Sequence, residues 1–271
     1  MFKTRINDDA TPIRVYNLCS LASKGQHSLA EARQKLYPAP EDAAVFTSVS
    51  QVARELELIE NDKETIKIVN SENIYSALES MTKFRQYCNK RAFVDKTDLF
   101  FRVSSVMLKI YDIPETKSLI KDSFTSSKFV AYMSNRLNMV RTVENIRNWR
   151  FWASFLGLGL VHNADNRFCF LPNMYTNLLD SIENTKLADG IYTIADFIER
   201  LSPYVSEALP DNPNDHHLCL GLSNGLRSLH DNGHITLSHE LDAKDVWYLT
   251  EMPNHSIPST ITHIRVNRGT E

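Results

Sequence analysis

Two arginines on a shared helical face are the side chains of this sequence best suited to binding an anion. Arg147 and Arg150 lie three residues apart in the stretch 145–156, where apolar residues recur at helical spacing, so both project from one side of a helix. Guanidinium groups bind phosphate oxygens in a planar, bidentate geometry. Asn148 lies near them, and Arg167 follows in a predicted β-hairpin. The constellation predicts contact with the phosphate backbone of a nucleic acid.

The aromatic residues around these arginines support a second interpretation of equal weight. They form a core or a protein-binding surface, and the arginines then stack on its rim or pair there. The four aromatic residues are Trp149, Phe151, Trp152 and Phe155.

A second polar set lies on an earlier predicted helix, which begins near Glu41 and repeats valine along its opposite face. Short donors and acceptors with one guanidinium suit groove edges and phosphates, although a solvated helix face has the same composition. This set contains Thr47, Ser48, Ser50, Gln51 and Arg54. Lys63 in the following hairpin and Arg141 near the start of the later helix complete the predicted nucleic-acid contacts.

The sequence has no residues at the spacing required for a metal site, a nucleotide-binding loop or a paired-cysteine site. Adjacent His216 and His217, with Asp211 and Asp215 nearby, point apart rather than converge on a metal ion. The Gly-Leu-Gly stretch 157–159 lacks the following Gly-Lys-Ser/Thr of a phosphate-binding loop. The four cysteines are far apart, which favours buried free thiols. The sequence therefore predicts no metal, no cofactor and no catalysis, although a fold-assembled acidic site of a hydrolase would leave no motif.

The elements that carry the candidate residues repeat along the chain. Residues 58–68 match residues 160–170 without a gap, and both stretches have the alternation of a β-hairpin that follows a helix. Upstream of the first hairpin, apolar periodicity predicts two more helices, and Ser28 with Glu31 forms a capping box at the start of the second. Three helices followed by a hairpin therefore make one module within residues 1–70.

We expect two further modules. Residues 71–185 form a helical region that contains the second module at about 98–171, and a helix at 174–183 links it to the third. Residues 186–271 hold the third module, in which 235–237 and 246–249 are the hairpin strands. Its candidate surface residues are Ser223, Asn224 and Arg227. The predicted fold is mainly α with short β-hairpins, in three tandem modules joined by helices.

This order of elements resembles the tandem winged-helix proteins of prokaryotes, within the helix-turn-helix superfamily. The resemblance implies a fold and a tendency to bind double-stranded DNA or to bridge proteins. It identifies no particular family.

Charge is unevenly distributed along the 271 residues. Residues 71–160 hold 14 Lys and Arg against 8 Asp and Glu, whereas residues 161–271 hold 7 against 15. A phosphate backbone is attracted to the first segment and repelled by the second. We therefore expect the acidic C-terminal segment to bind other protein subunits.

The first residues lack an apolar signal sequence, and no apolar run is long enough to span a membrane, so we expect a cytoplasmic location without membrane contact. The leading hypothesis is a non-catalytic DNA-binding regulator or DNA-engaging accessory subunit of a larger complex. The alternative is a scaffold whose modules bind partner proteins without contacting DNA.

Overall fold

A computed structural model describes residues 1–39, 42–61, 64–116, 119, 123–164, 167–212, 214–253 and 255–267. The helices of the described chain are α1 (Pro12–Ala22), α2 (Leu29–Leu36), α3 (Ala43–Glu55), α4 (Glu72–Ala77), α5 (Met81–Ala92), α6 (Leu99–Lys109), α7 (Ser127–Leu137), α8 (Thr142–Phe155), α9 (Tyr175–Thr185), α10 (Ile194–Val205) and α11 (Leu220–Asp231). The strands are β1 (His27–Ser28), β2 (Ile59–Asn61), β3 (Thr65–Ile68), β4 (Gly159–Ala164), β5 (Arg167–Pro172), β6 (Gly190–Thr193), β7 (His217–Leu218), β8 (Ile235–Ser238), β9 (Trp247–Leu249), β10 (Thr260–Ile261) and β11 (His263–Val266). The prediction of a mainly α fold with short hairpins is confirmed.

The N-terminal unit, residues 12–68, runs α1, β1, α2, α3, β2, β3. Its antiparallel sheet has the order β1-β3-β2, so the first strand joins the hairpin after the two helices between them. The predicted capping box is present, because the Ser28 hydroxyl accepts from the Glu31 amide and the Glu31 carboxylate accepts from the Ser28 amide.

The C-terminal unit, residues 175–266, repeats this order with α9, β6, α10, α11, β8 and β11. Its sheet has the order β6-β11-β8, which is the topology of the N-terminal unit. The helix at 174–183, which we expected to link the second module to the third, corresponds to α9. It is the first helix of the C-terminal unit and packs on α10 and α11.

The predicted partner of β8 was wrong. The strand at Trp247–Leu249 pairs with β7 and β10 in a separate sheet, whereas β8 pairs with His263–Val266. Both candidate strands alternate apolar and polar residues, so local pattern does not distinguish them. A longer connection adds little closure entropy, because that cost grows only slowly with loop length.

The central unit, residues 99–172, contains α6, α7, α8 and the two-stranded hairpin β4–β5. The edge of β5 is covered by a loop: the Phe124 amide donates to the Phe168 carbonyl, and the Phe168 amide donates to the Ser123 hydroxyl. These bonds take the place of a third strand.

The predicted match between the first two hairpins is confirmed in register. Ile59 pairs with Ile68, and the matched residues Val161 and Phe170 also pair. The second hairpin is longer at its base, where Gly159 pairs with Pro172.

One apolar core runs through all three units. Residues 1–10, which we call the strap, cross the molecule before α1 without regular secondary structure. Phe2, Ile6 and Ala10 of the strap are buried in the core.

Candidate nucleic-acid interface

Helix α3 presents most of its predicted polar set to solvent. Thr47, Gln51 and Arg54 are exposed along one stripe, while Ser48 is half-buried beside it. Ser50 is buried, so it does not belong to this face. The Gln51 amide donates to the Glu55 carboxylate at 2.9 Å, and the Arg54 Nε donates to the Ser50 carbonyl at 3.3 Å. Among the described residues, Arg54 has no carboxylate partner, so its charge is not neutralised locally.

Helix α8 presents two exposed arginines. Arg141 is the N-cap residue in a left-handed conformation, with φ of 50°, and Arg147 lies less than two turns into the helix. Neither forms an ion pair within the described chain. Arg150 is half-exposed and lies over the Phe151 ring, 4.7 Å from its centroid. Two exposed guanidinium groups near the start of α8 are therefore available to an anion.

The structure removes Asn148 from the interface. Its side chain is only 8% exposed, and its amide donates to the Ile6 carbonyl of the strap at 2.9 Å. Asn148 therefore fixes the strap to α8 instead of facing solvent. The predicted contact Lys63 lies outside the described residues, as does the side chain of Arg167, whose backbone pairs with Ala164 at the hairpin end.

Helices α3 and α8 have equivalent exits into their hairpins. The Leu58 amide donates to the Ala53 carbonyl at 2.9 Å, and the Leu158 amide donates to the Ala153 carbonyl at 3.0 Å. Each exit passes through one left-handed residue, with φ of 57° at Glu57 and 73° at Gly157. Counted back from Leu58 and Leu158, the exposed residues Thr47, Gln51 and Arg54 correspond to the exposed residues Arg147, Phe151 and Ser154.

The tryptophans belong to the core. Trp149 donates from Nε1 to the Ser104 hydroxyl at 2.8 Å, and Trp152 donates to the Ala10 carbonyl at 2.7 Å, both in fully buried positions. Buried indole N–H groups with a partner need no further ligand. Phe151, at 37% exposed, is the surface aromatic residue of α8.

Helix α11 of the C-terminal unit presents no comparable face. Ser223 and Arg227 are buried, and the half-buried Asn224 donates to the Pro172 carbonyl at 2.9 Å. A Cβ atom at Gly225 would lie 2.8 Å from the backbone of Met174, which shows how closely α11 approaches the start of α9. The residues proposed from sequence on α11 are therefore packing residues.

Sequence reasoning missed two exposed cations, Lys3 and Arg5 of the strap. The strap has no helical or strand periodicity and belongs to residues 1–70, which hold 9 Lys and Arg against 10 Asp and Glu, so nothing local marked these residues. Hydrogen bonds from the strap to Ser48 and Asn145 bring them beside the two helices.

The paired histidines lie elsewhere. His216 stacks on Trp247 with ring centroids 4.8 Å apart, and His217 stacks on Tyr248 at 4.7 Å. Their Nδ1 atoms lie near different carboxylates rather than sharing one. No group of three or more His, Cys, Asp or Glu side chains in the described ranges is arranged to hold a metal ion.

Within the same ranges, no helix has both the length and the apolar composition required to cross a bilayer. Comparisons with known proteins found no match: no family model fits the chain, and no curated protein and no solved structure is significantly similar to it.

Proposed function

We propose that this chain is a non-catalytic double-stranded DNA-binding protein, a regulator or accessory subunit, that uses the outer faces of α3 and α8. The observation that carries the proposal is the equivalence of these helices. Both helices connect to the following hairpin through equivalent backbone hydrogen bonds, and residues at equivalent positions of the two helices are exposed. Each helix buries its apolar side and leaves cations on the other side.

We interpret the N-terminal unit as a winged helix, because α2 and α3 precede the hairpin β2–β3 and β1 completes the sheet. The central unit is a variant in which a loop replaces the first strand. Helices α3 and α8 contain 13 and 14 residues, about 20 Å at 1.5 Å per residue, which suits insertion into a major groove.

The C-terminal unit has a different proposed role. Residues 175–266 hold 5 Lys and Arg against 13 Asp and Glu, and this net charge of −8 repels phosphate; helix α11 is also enclosed. We assign it to contacts with partner proteins of a larger complex.

Fluorescence anisotropy with a duplex of about 25 base pairs tests the proposal. Arg54→Glu with Arg147→Glu should abolish most binding and lower the salt slope of log affinity by about 2, since each phosphate contact contributes about 0.9. The matched control is Lys244→Glu with Arg265→Glu, which gives the same charge change on exposed residues of the C-terminal unit.

The control should bind the duplex with nearly wild-type affinity. Equal losses in both double variants would indicate a general charge effect and reject the assigned face. Absence of salt-dependent binding by the wild-type protein would reject DNA binding and leave the scaffold hypothesis.

A further inference from the structure

We infer that the strap is a third DNA-binding element, which joins α3 and α8 into a single face for one duplex and contributes Lys3 and Arg5 to phosphate contact. The inference rests on the proposed function and deepens it. Two independent modules on a linker would bind separate sites, whereas a rigid face binds one continuous site.

The strap is attached to α3 at two points. The Phe2 amide donates to the Glu55 carboxylate at 2.7 Å, and the Asn7 side-chain amide donates to the Ser48 hydroxyl at 2.7 Å. Because the earlier strap residue contacts the later helix residue, the strap runs antiparallel to α3.

The strap is attached to α8 in the opposite sense. The Ile6 amide donates to the Asn145 side-chain oxygen at 2.8 Å, and its carbonyl accepts from Asn148. Farther along, the Ala10 carbonyl accepts from Trp152. The strap therefore runs parallel to α8, and the two helices are antiparallel on its two sides.

The exposed stripes of both helices face the same side of the strap. In each helix the strap contacts residues that come one position after an exposed residue, which is a rotation of about 100° in the same sense. When two antiparallel helices are viewed with both exposed stripes toward the viewer, the strap-contacting residues lie to the left of the stripe on one helix and to the right on the other. One strap can therefore contact both helices only by lying between them with both stripes on the same side. The five pairs of exposed and strap-contacting residues are Thr47 and Ser48, Arg54 and Glu55, Glu144 and Asn145, Arg147 and Asn148, and Phe151 and Trp152.

The combined face is cationic. The exposed charged residues of the strap, α3 and α8 are five cations, Lys3, Arg5, Arg54, Arg141 and Arg147, against two carboxylates, Asp8 and Glu144, and the exposed Asp95 lies close to Lys3. A net charge of +2 on one side of a chain whose overall charge is −3 attracts a polyanion to that side. Arg5 precedes Ile6 and so lies where the strap contacts both helices, whereas Lys3 lies at the end of α3, where its carbonyl accepts from the Leu99 amide of α6. A duplex that contacts both helices must pass over this part of the strap.

The first test is Lys3→Glu with Arg5→Glu in the full chain, measured by anisotropy against the same duplex. Both side chains are exposed, so the fold should be retained, which circular dichroism and the melting temperature verify. We expect at least a tenfold loss of affinity at about 100 mM salt and a salt slope lower by about 2. The control is again Lys244→Glu with Arg265→Glu.

The outcomes separate the two proposals. If the strap variant binds like the control while Arg54→Glu with Arg147→Glu does not bind, the inference is overturned and the proposed function stands. If the wild-type protein does not bind the duplex at all, both are overturned.

A second measurement addresses the geometry of the face. Iron chelates attached at Thr47→Cys, Arg5→Cys and Arg147→Cys cleave DNA near each position. We expect the cleavage from position 5 to lie between the other two on one continuous footprint. Cleavage from position 5 outside that interval, or two separate footprints for positions 47 and 147, would overturn the single face.

Discussion

Replacing Glu207 by glutamine should stabilise the protein at neutral pH and remove much of its pH dependence. The Glu207 carboxyl group is fully buried, and neither oxygen has a hydrogen-bond partner in the described chain. Burial disfavours the charged form and raises the pKa of Glu207 from 4.5 to about 8, against smaller opposing effects of its own backbone amide and of Lys109. The folded protein therefore holds this proton at pH 7.

The sign of the effect follows from the two pKa values. In the unfolded chain Glu207 loses its proton above its ordinary pKa of 4.5, whereas in the folded chain it keeps the proton until about pH 8. Stability from Glu207 is fully present below pH 4.5 and is lost as pH rises toward 8, because unfolding releases the proton. Each pH unit in this window is worth about 1.4 kcal/mol, so the loss from pH 5 to 7.5 is about 3 kcal/mol.

Urea denaturation from pH 5 to 7.5 measures this difference. Glutamine has nearly the same shape and no charge, so Glu207→Gln should show a much smaller decline in unfolding free energy than wild type, by about 3 kcal/mol. Glu199→Gln, at an exposed position of α10, is the control and should follow wild type. Parallel pH profiles for wild type and Glu207→Gln would refute the reasoning.

Two further substitutions test the packing around α9. Gly225→Ala would place its Cβ 2.8 Å from the Met174 backbone, and this overpacking should lower the unfolding free energy by about 1–3 kcal/mol in urea titrations; an unchanged midpoint would show that α11 and α9 can separate freely. Asp180→Asn breaks the pair in which Asp180 accepts from Arg85 at 2.6 and 3.0 Å across α5 and α9. We expect a loss of about 3 kcal/mol, because Asp180 is buried and Arg85 largely so, whereas the exposed control Asp242→Asn should have no effect.

The local elements of the fold followed from sequence. The match of residues 58–68 to 160–170 predicted two hairpins with the same register, and the capping box at Ser28 marked the start of α2. These features depend on hydrogen bonds and side-chain periodicity among residues close in the chain, so neighbouring residues are sufficient to determine them.

Which polar residues of the candidate interface are exposed did not follow from the local sequence. Arg147 and Asn148 are adjacent and polar, yet the first is exposed and the second is buried against the strap. Periodicity identified the apolar side of α8, but only the docking of Ile6, 142 residues from Asn148, decided which polar residues remain accessible.

Sequence by itself therefore determined most of the helices, the two matched hairpins, and how charge is distributed between the central and C-terminal thirds. The tertiary structure decided that β11 rather than β9 pairs with β8, that α11 is enclosed and that the strap lies between α3 and α8. The physical reason is that burial and long-range pairing depend on which surfaces meet in the compact chain. The local sequence pattern is compatible with several strand pairings and packing arrangements, and packing of the whole core selects one of them.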